Sequence, residues 1–288
     1  MSRPSATLRA LPTPAAPAVE ATQARPFLKW AGGKTQLLAH LLARFPREYG
    51  RYHEPFLGGG AVFFALQPQR AVLSDVNSDL IATYRALQSK ALYVMRALRR
   101  LPVSETDYYQ VRARDGSRMS AIQCAARVIY LNRTCYNGLY RVNQRGHFNV
   151  PFGRYTNPTI CNRNNLEAVS AALKGVQIRH QSAMHIGRQV RRGDLVYFDP
   201  PYHPVSSTAS FAAYTRAGFG PAEQIRLAAL FRRLAARGVH VVLSNSDTPF
   251  IRQLYHGCRI ERVLARRSIN SCATGRGRIG EVIITAPS

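Results

Sequence analysis

The sequence predicts an α/β fold built on a mainly parallel sheet, and three observations lead to this prediction. Two apolar runs, at 195–198 and 239–245, have the composition of strands buried on both faces. The helical pattern between them begins at Pro221 and is closed by Gly238, the usual order of these residues around a helix. A glycine-rich turn at 58–60 joins a short strand to a second helical pattern. Strands that alternate with helices predict parallel pairing, with helices covering the sheet.

The composition indicates a globular chain with a polyanionic partner. Its 288 residues carry a formal net charge of +25, and arginine supplies most of it. The planar guanidinium suits phosphates and guanine edges, so this charge predicts nucleic-acid binding. A genome biased toward arginine is the alternative source of part of the excess. No apolar stretch approaches the ~20 residues that span a bilayer, so we expect no membrane segment.

The cysteines and histidines predict a chain without disulfides or a metal site. Five cysteines are an odd number and form no CxxC pair, which is typical of free thiols in a reducing compartment such as the cytoplasm. The eight histidines are scattered and show no pairing at metal-ligand spacing. We therefore expect a cytoplasmic protein that holds no metal.

The N-terminal part contains a predicted tail and a misleading motif. Residues 1–24 are rich in Ala, Pro, Ser and Thr without periodicity, and we expect them to be a disordered tail. The segment 33–35 ends as a phosphate-binding P-loop ends. However, the glycine that this motif requires five positions before Gly33 is Leu28, which excludes the motif. A turn followed by a helix through 37–42 fits better.

The glycine turn at 58–60 and an acidic strand end predict a cofactor site. Glycines between a strand and a helix let the backbone approach a ligand closely. The apolar run 71–75 predicts a second strand, and this strand ends in Asp75. In Rossmann-like units an acid at this place binds ribose hydroxyls. The alternative is that Asp75 belongs to a helix cap formed with residues 77–79.

Residues 79–165 have a different character and predict a helical insertion in the sheet domain. Helical patterns at 80–101 and 121–131 alternate with loops in which arginines and aromatic residues are interleaved. Such loops suit a surface that follows phosphates while aromatic side chains wedge between bases. The sheet domain then comprises 25–78 and 166–288, and we expect it to end in a hairpin.

The segment Asp199-Pro200-Pro201-Tyr202 predicts a binding corner after the strand 195–198. Prolines end a strand because they donate no ladder hydrogen bond, and open α/β sheets bind ligands at the carboxyl ends of their strands. The Asp199 carboxylate, the Pro200 carbonyl and the Tyr202 ring suit a flat molecule with an exocyclic amine. An ordinary strand-ending turn is the alternative. Chemistry on the amine of a nucleic-acid base requires that the base leave the stack.

Five further motifs connect the chain with a known family. They lie at 27–34, 54–60, 130–133, 136–143 and 148–155 and read FLKWAGGK, EPFLGGG, YLNR, YNGLYRVN and FNVPFGRY. The Asp-Pro-Pro-Tyr segment alone is typical of amino-methyltransferases broadly, whereas these five motifs are far narrower. Together and in this order they resemble DNA adenine-N6 methyltransferases of the Dam type, from about residue 25 to the end of the chain.

The resemblance implies a Rossmann-like methyltransferase domain, S-adenosylmethionine as methyl donor, and a double-stranded DNA target with 5′-GATC as the expected site. The positions that match the cofactor pocket are Trp30, Lys34, Phe56, Gly58, Gly60, Asp75 and Asp199. The positions that match the catalytic corner are Asp199, Pro200, Pro201 and Tyr202. There Asp199 and the Pro200 carbonyl would accept hydrogen bonds from adenine N6, and Tyr202 would stack on the extruded base. No metal is implied, and we expect a monomer of bacterial or phage origin.

The resemblance also implies DNA contacts in and beside the insertion. The matching positions are Lys29, Tyr136, Asn137, Leu139, Arg141 and Pro151. Tyr136 would wedge into the duplex with Asn137 beside the vacated position. Arg141 would read a guanine and Lys29 would contact the first guanine, while Leu139 and Pro151 would contact the thymine side. Local packing or phosphate binding is the alternative for each of these residues.

Three alternative functions stay open from the sequence. One is methylation of a cytosine N4, or of an amine in RNA or protein, which more often goes with Ser or Asn at the position of Asp199 and does not need the 130–155 region. Another is methylation of adenine in a different short DNA site. The last is a DNA-binding protein that keeps the fold without turnover.

Overall fold

A computed structural model describes residues 23–30, 34, 37–204, 219–266 and 278–287 of the chain. These residues form a seven-stranded sheet. Its strands are β1 (Tyr52–Glu54), β2 (Ala71–Asp75), β3 (Gln177–His180), β4 (Leu195–Phe198), β5 (His240–Ser246), β6 (Arg259–Arg266) and β7 (Arg278–Thr285). The order across the sheet is β3-β2-β1-β4-β5-β7-β6. The first five strands in this order are parallel, and β7 runs antiparallel to both β5 and β6.

Most of the helices begin where the sequence supplies capping residues. They are α1 (Leu38–Leu42), α2 (Ala61–Leu66), α3 (Ser78–Arg99), α4 (Glu105–Ala113), α5 (Ala121–Thr134), α6 (Arg163–Ala172), α7 (Pro221–Ala236) and α8 (Pro249–Leu254). Asn77 caps α3, since its side chain accepts from the Leu80 N–H. Ser120 and Gln123 form a capping box at the start of α5. Such caps satisfy backbone donors that have no partner within the helix.

Strand β4 shows why the run 195–198 has no polar residue. Leu195 and Tyr197 belong to the core on one face of the sheet, whereas Val196 and Phe198 belong to the core on the other. All four residues are buried because helices cover both faces, as a central parallel strand requires. The sequence prediction of a doubly covered strand is confirmed.

The strand order places β1 beside β4 although β2 follows β1 in the chain. Connections from β1 and from β4 therefore leave toward opposite sides of the sheet, and a crevice opens between their carboxyl ends. Glu54 ends β1, and Asp199 directly follows β4. The topology thus brings the glycine turn and the predicted corner to the same edge of the sheet.

The helical region packs on the sheet through α3. This helix contacts β2 and β3 as well as α5 and α6, and one buried cluster includes residues of the sheet and of these helices. Ala24, which the sequence analysis assigns to the tail, is buried in that cluster. Residues 1–22 lie outside the described residues. The boundaries at 78/79 and 165/166 stay a prediction.

The predicted elements agree with the structure over most of their length. The apolar run 71–75 is β2, the pattern 221–238 is α7, and the expected C-terminal hairpin is formed by β6 and β7. The four cysteines within the described residues are free thiols. In the same residues, no helix combines the length and hydropathy needed to cross a membrane.

Candidate active site and nucleic-acid interface

The catalytic corner, residues 199–202, is held by side chains from outside its own strand. The Asp199 carboxylate forms an ion pair of 2.8 Å with the Lys34 ammonium, which is almost fully buried. The Ser244 hydroxyl, from the adjacent strand β5, donates to the same Asp199 oxygen at 3.0 Å. Ser244 is in turn bonded to the Tyr197 hydroxyl at 2.8 Å. Asp199 is therefore oriented from two directions before any substrate is bound.

The rest of the corner has equally defined partners. The Tyr202 hydroxyl donates to Glu281 at 3.0 Å, and the Lys34 ammonium lies 4.7 Å from the centre of the Tyr202 ring. The Pro201 carbonyl accepts from Gln224 at 2.9 Å. For the Pro200 carbonyl, the described residues provide no hydrogen-bond donor. This leaves one carbonyl and one aromatic face beside the Asp199 carboxylate.

Burial sets the protonation of the two acids at this edge. It raises the pKa of Asp199, while the Lys34 ammonium and the Ser244 hydroxyl act in the opposite direction. Burial also raises the pKa of Glu54 to about 8, against the hydrogen bond of 2.8 Å that the Tyr52 hydroxyl donates to it. Burial therefore favours the neutral form of Glu54, while the Lys34 ammonium favours the ionised form of Asp199.

The glycine turn is tied to the end of β2 by backbone bonds. Asp75 accepts from the Gly58 N–H and from the Asn77 N–H, each at 3.0 Å. The Tyr84 hydroxyl donates to the Gly58 carbonyl. At Gly60, where φ is +67°, a β-carbon would stand 2.7 Å from the Tyr84 hydroxyl, so this position requires glycine. Asn77 is the N-cap of α3, and Asp75 supports this cap by accepting from the Asn77 N–H, so the ribose role of Asp75 stays a prediction beside the helix-cap alternative.

Two aromatic residues flank the glycine turn. The half-buried Trp30 ring lies against Gly58, where a β-carbon would approach Trp30 Cδ1 to 2.8 Å. The Phe56 ring packs against Phe198, with ring centres 6.4 Å apart. On the other side of Asp75, the Val76 side chain is 66% exposed. The turn thus combines a carboxylate with apolar surfaces on both sides.

The predicted DNA contacts begin with a clamp around Asn132, which is buried. Its side chain accepts from the Lys29 N–H at 2.8 Å and donates to the Lys29 carbonyl at 2.7 Å. It also donates to the Gly138 carbonyl at 2.9 Å. Gly138 has φ +64°, and a β-carbon there would collide with the Lys29 side chain. Asn132 therefore holds Lys29 against the recognition turn, residues 136–139.

The recognition turn exposes the residues predicted to enter the duplex. Tyr136 is 52% exposed and its N–H donates to the Pro151 carbonyl at 2.9 Å. Asn137 is also exposed and has a left-handed backbone with φ +54°. Leu139 is half-buried and packs on the core. The structure thus brings together Tyr136 and Pro151, which belong to different motifs of the sequence.

Arg141 lies in the recognition hairpin, residues 139–150, which is closed by a bridge between Val142 and Phe148. Arg141 Nε donates to the Asn149 side chain at 2.6 Å, and Nη2 donates to the Asn149 carbonyl at 3.0 Å. These bonds use one edge of the guanidinium. Its other edge carries the remaining Nη1 and Nη2 hydrogens and can still bind two acceptors side by side.

Sequence reasoning missed four residues that position this site. They are Ser244, Glu281, Asn132 and Asn149. A signal existed for Ser244, because it lies near the carboxyl end of the strand predicted at 239–245, and parallel neighbours bring their carboxyl ends together. Glu281 and Asn132 act across long stretches of chain, and no spacing rule indicates them.

Within the described residues, no group of three or more His, Cys, Asp or Glu side chains is arranged to hold a metal ion. The ionisable groups at the corner instead pair with one another, as Asp199 does with Lys34.

Comparison with known proteins adds a family and close relatives. The family model described as D12 class N6 adenine-specific DNA methyltransferase matches residues 30–269. The chain is 42% identical over 269 residues to the type II methyltransferase M1.LlaDCHI of Lactococcus lactis subsp. cremoris, covering 91% of this chain and 95% of the relative. It is 41% identical to the type II methyltransferase M.MjaIII of Methanocaldococcus jannaschii, with 86% and 93% covered. The DNA adenine methylase of Escherichia coli is 37% identical, with 90% and 94% covered.

Proposed function

Since the chain belongs to the D12 class of N6 adenine-specific DNA methyltransferases, we propose that it acts on one short double-stranded site, 5′-GATC, and on an adenine extruded from the duplex. Methylation of adenine N6 in DNA is its reaction, and S-adenosylmethionine is its methyl donor. What we propose beyond this reaction is the sequence of the site, the extrusion of the base, and the residues that recognise the site and hold the extruded base.

The glycine turn and its neighbours fit S-adenosylmethionine by their chemistry. Asp75 keeps lone pairs for ribose hydroxyls after accepting two backbone N–H groups. The exposed Val76 side chain offers an apolar surface for a flat ring next to that carboxylate. Trp30 and Phe56 supply further apolar surface, and the absence of a side chain at Gly58 lets the Trp30 ring lie against the turn. When bound, the cofactor supplies an electrophilic methyl group.

At the catalytic corner the proposal assigns the hydrogen-bond acceptors to adenine N6. The Asp199 carboxylate and the Pro200 carbonyl accept from the amino group, which increases the electron density on its nitrogen. Tyr202 stacks on the base, and its hydroxyl bond to Glu281 fixes the plane of the ring. The Lys34 ammonium favours the ionised form of the half-buried Asp199. These roles hold the nucleophile in place, and positioning of this kind lowers a barrier without a covalent enzyme intermediate.

The anchored guanidinium of Arg141 is the observation that carries the proposed site. Asn149 fixes one edge of the guanidinium, so the free edge has one direction in which to bind. A guanine offers O6 and N7 as paired acceptors for such an edge, and no other base does. Guanine is the base that 5′-GATC places at its outer positions. The exposed Tyr136 supports the wedge that extrusion requires.

Methyl transfer to matched duplexes tests the proposal. Labelled S-adenosylmethionine should modify a 5′-GATC duplex, and a duplex with the same composition but a scrambled site should stay unlabelled. Mapping N6-methyladenine in the genome of a host that lacks its own adenine methylation should then find the mark in 5′-GATC alone. Equal labelling of the scrambled duplex would contradict the site and leave the reaction intact.

A different short site is the second candidate. One observation favours it: the Arg141 edge specifies one guanine, whereas Leu139 and Pro151 offer apolar contacts that discriminate less sharply between bases. The same genome-wide map separates the two candidates, because another site would place N6-methyladenine in one recurring sequence other than 5′-GATC.

A further inference from the structure

Tyr140 lies between the predicted base contacts Leu139 and Arg141, yet its side chain contacts residues beside the predicted cofactor pocket. The Tyr140 ring stacks on the Trp30 ring, with centres 5.3 Å apart and planes at 28°. Its hydroxyl donates to the Asp79 carboxylate at 2.7 Å. The Tyr140 ring also packs in an edge-to-face arrangement with Phe148 of the recognition hairpin, with ring centres 5.7 Å apart. One side chain thus contacts the recognition hairpin and two residues outside it.

Trp30 connects Tyr140 to the glycine turn. The indole stacks on Tyr140, and its Cδ1 lies where a β-carbon on Gly58 would approach to 2.8 Å. A ligand that occupies the glycine turn therefore restricts the position of the indole. Because stacked rings are close-packed, a shift of Trp30 must be followed by Tyr140.

Asp79 provides a second and independent connection. The Asp75 carboxylate accepts from the Asn77 N–H, and Asn77 caps α3 at the Leu80 N–H. Asp79 lies in the first turn of α3, directly beside this cap. A ligand bound to Asp75 therefore restrains the helix turn that carries Asp79. Burial and the Asp79 carboxylate raise the pKa of the Tyr140 hydroxyl, so this hydroxyl remains a donor at physiological pH.

We propose that Tyr140 is a positioning residue that couples the cofactor pocket to the recognition hairpin, so that bound cofactor increases affinity for the cognate site more than for other DNA. The proposal rests on the proposed function, since it needs a cognate site. Its physical basis is that Tyr140 satisfies both the Trp30 stack and the Asp79 hydrogen bond in one arrangement of the hairpin. Both partners are restrained when the glycine turn and Asp75 hold a ligand.

Coupling of this kind has a quantitative signature. If the cofactor tightens cognate DNA binding by some factor, DNA must tighten cofactor binding by the same factor, since coupling between two sites is reciprocal. Typical coupling between two sites changes affinity roughly 5- to 150-fold. We expect at least about fivefold for the cognate duplex, and no comparable change for a scrambled duplex.

The test measures this factor in four titrations per variant, using S-adenosylhomocysteine as the unreactive probe. DNA affinity is measured with and without the probe, and probe affinity with and without DNA. Tyr140→Phe keeps the ring stack but removes the hydroxyl, and Asp79→Ala removes its acceptor. Each variant should lose the part of the coupling factor that the Asp79 hydrogen bond carries, and the double variant should lose no more than either single one, because both changes delete the same interaction.

Tyr93→Phe is the matched control. Tyr93 is 55% exposed on α3, and the same oxygen is deleted without touching the network. This variant should keep the full coupling factor. A wild-type factor within about twofold of unity, or full coupling in both Tyr140→Phe and Asp79→Ala, would overturn the proposal.

The outcome is separable from that of the proposed function. Methyl transfer to 5′-GATC by the wild type is measured first, and the cognate duplex used in the titrations is whichever site the genome map identifies. A wrong assignment of 5′-GATC then changes the duplex and leaves the coupling test valid. Failure of coupling in an active enzyme with a mapped site counts against the role of Tyr140 alone.

Discussion

The catalytic corner and the recognition turn are both irregular segments, but the fold holds them by different kinds of bond. At the corner, charged and hydroxyl side chains meet one another: Lys34 and Ser244 bind Asp199, and Glu281 binds Tyr202. Around the recognition turn, side chains bind backbone atoms instead. The Asn132 side chain binds backbone atoms of Lys29 and Gly138, and the Tyr108 hydroxyl donates to the carbonyl of Val150, beside Pro151.

Under the proposed function, this difference is explained by what each region must keep fixed. Chemistry at the corner depends on the charge of one carboxylate, so its neighbours are groups that set a pKa. Reading a base depends on the path of a loop, so the neighbours of the turn fix backbone atoms. Substitutions in the two regions should therefore have different effects. Those at the corner should alter turnover and its pH dependence, and those at the turn should alter DNA binding.

Replacement of Asp199 by Asn should produce the largest effect. The change keeps the shape of the side chain and removes its charge, so the amino group of adenine loses its strongest acceptor. By comparison with the loss of a single transition-state hydrogen bond in other enzymes, kcat should fall by about 10²–10³. Single-turnover methyl transfer measures this, and equilibrium titration should show duplex affinity within about threefold of wild type, a change of under 1 kcal/mol.

The control is Asp115→Asn, the same change at an exposed acid in the insertion. It should leave turnover unaffected. A loss of less than tenfold in Asp199→Asn would mean that another group orients adenine N6.

Asn132→Ala should produce the next largest effect, and on the other region. It removes three hydrogen bonds at a buried side chain and leaves backbone groups of Lys29 and Gly138 without partners. Each such group costs about 1–3 kcal/mol if it stays dry. Entry of water limits the loss, so we expect the free energy of unfolding to fall by about 2–4 kcal/mol in denaturant titrations.

Cognate duplex affinity should fall with it, because Lys29 and the recognition turn are no longer held together. The single-turnover rate at saturating DNA should change far less. Asn164→Ala on α6, at an exposed asparagine, is the matched control and should alter neither quantity. If stability falls while duplex affinity stays at the wild-type value, Asn132 supports the core and not the DNA contacts.

More features of the corner than of the turn were predictable from the sequence. Two prolines after a four-residue apolar run mark a strand end wherever they occur, and the carboxyl end of a parallel strand is a binding edge. Asp75 and the glycine turn were predictable for the same reason. These signals are local, and the regular geometry of a sheet converts them into spatial positions.

The partners of both regions were less predictable. Asn132 binds Lys29 across 103 residues, and Tyr202 binds Glu281 across 79. An asparagine inside a helix or a glutamate inside a strand has no sequence signature that distinguishes such a bond from solvent exposure. Residues of the turn itself were indicated only by the resemblance to a family, since an irregular loop has no period from which contacts can be derived.

Asn149→Ala should have an intermediate effect that is confined to the turn. It removes the side-chain anchor of Arg141 and keeps the guanidinium, so the arginine can still bind but is no longer oriented. Discrimination against a substituted outer base pair should weaken by about 1 kcal/mol, toward the lower part of the range for a bidentate contact. Competition titrations with matched and substituted duplexes measure this.

Arg141→Ala removes the whole contact, so it should weaken discrimination by about 1–3 kcal/mol, which is the upper limit for Asn149→Ala. Its effect should be confined to the outer guanine position. Turnover at saturating cognate DNA should be nearly unchanged in Asn149→Ala. Equal discrimination in wild type and in both variants would show that the outer base pair is read by another residue.

Ser244→Ala should have the smallest effect and should separate the regions by pH. The Ser244 hydroxyl lowers the pKa of Asp199, so its removal raises that pKa. The ionised Asp199 carboxylate is a stronger acceptor for the adenine amino group than the protonated acid, and we therefore expect activity to be lost as pH falls through its pKa. With a higher pKa the loss begins at a higher pH, and the acidic limb of the profile of kcat/KM moves upward. At neutral pH the rate should fall by about three- to tenfold, which corresponds to one hydrogen bond.

Tyr197→Phe is the control, because the Tyr197 hydroxyl contacts Ser244 at 2.8 Å, and it is Ser244 that donates to Asp199. Its acidic limb should stay near the wild-type position. The ratio of activities on cognate and substituted duplexes should be unchanged in both variants, since neither residue contacts the recognition turn. An acidic limb that stays in place in Ser244→Ala would mean that the ionisation of Asp199 does not limit the reaction, and that Lys34 alone holds its charge at every pH tested.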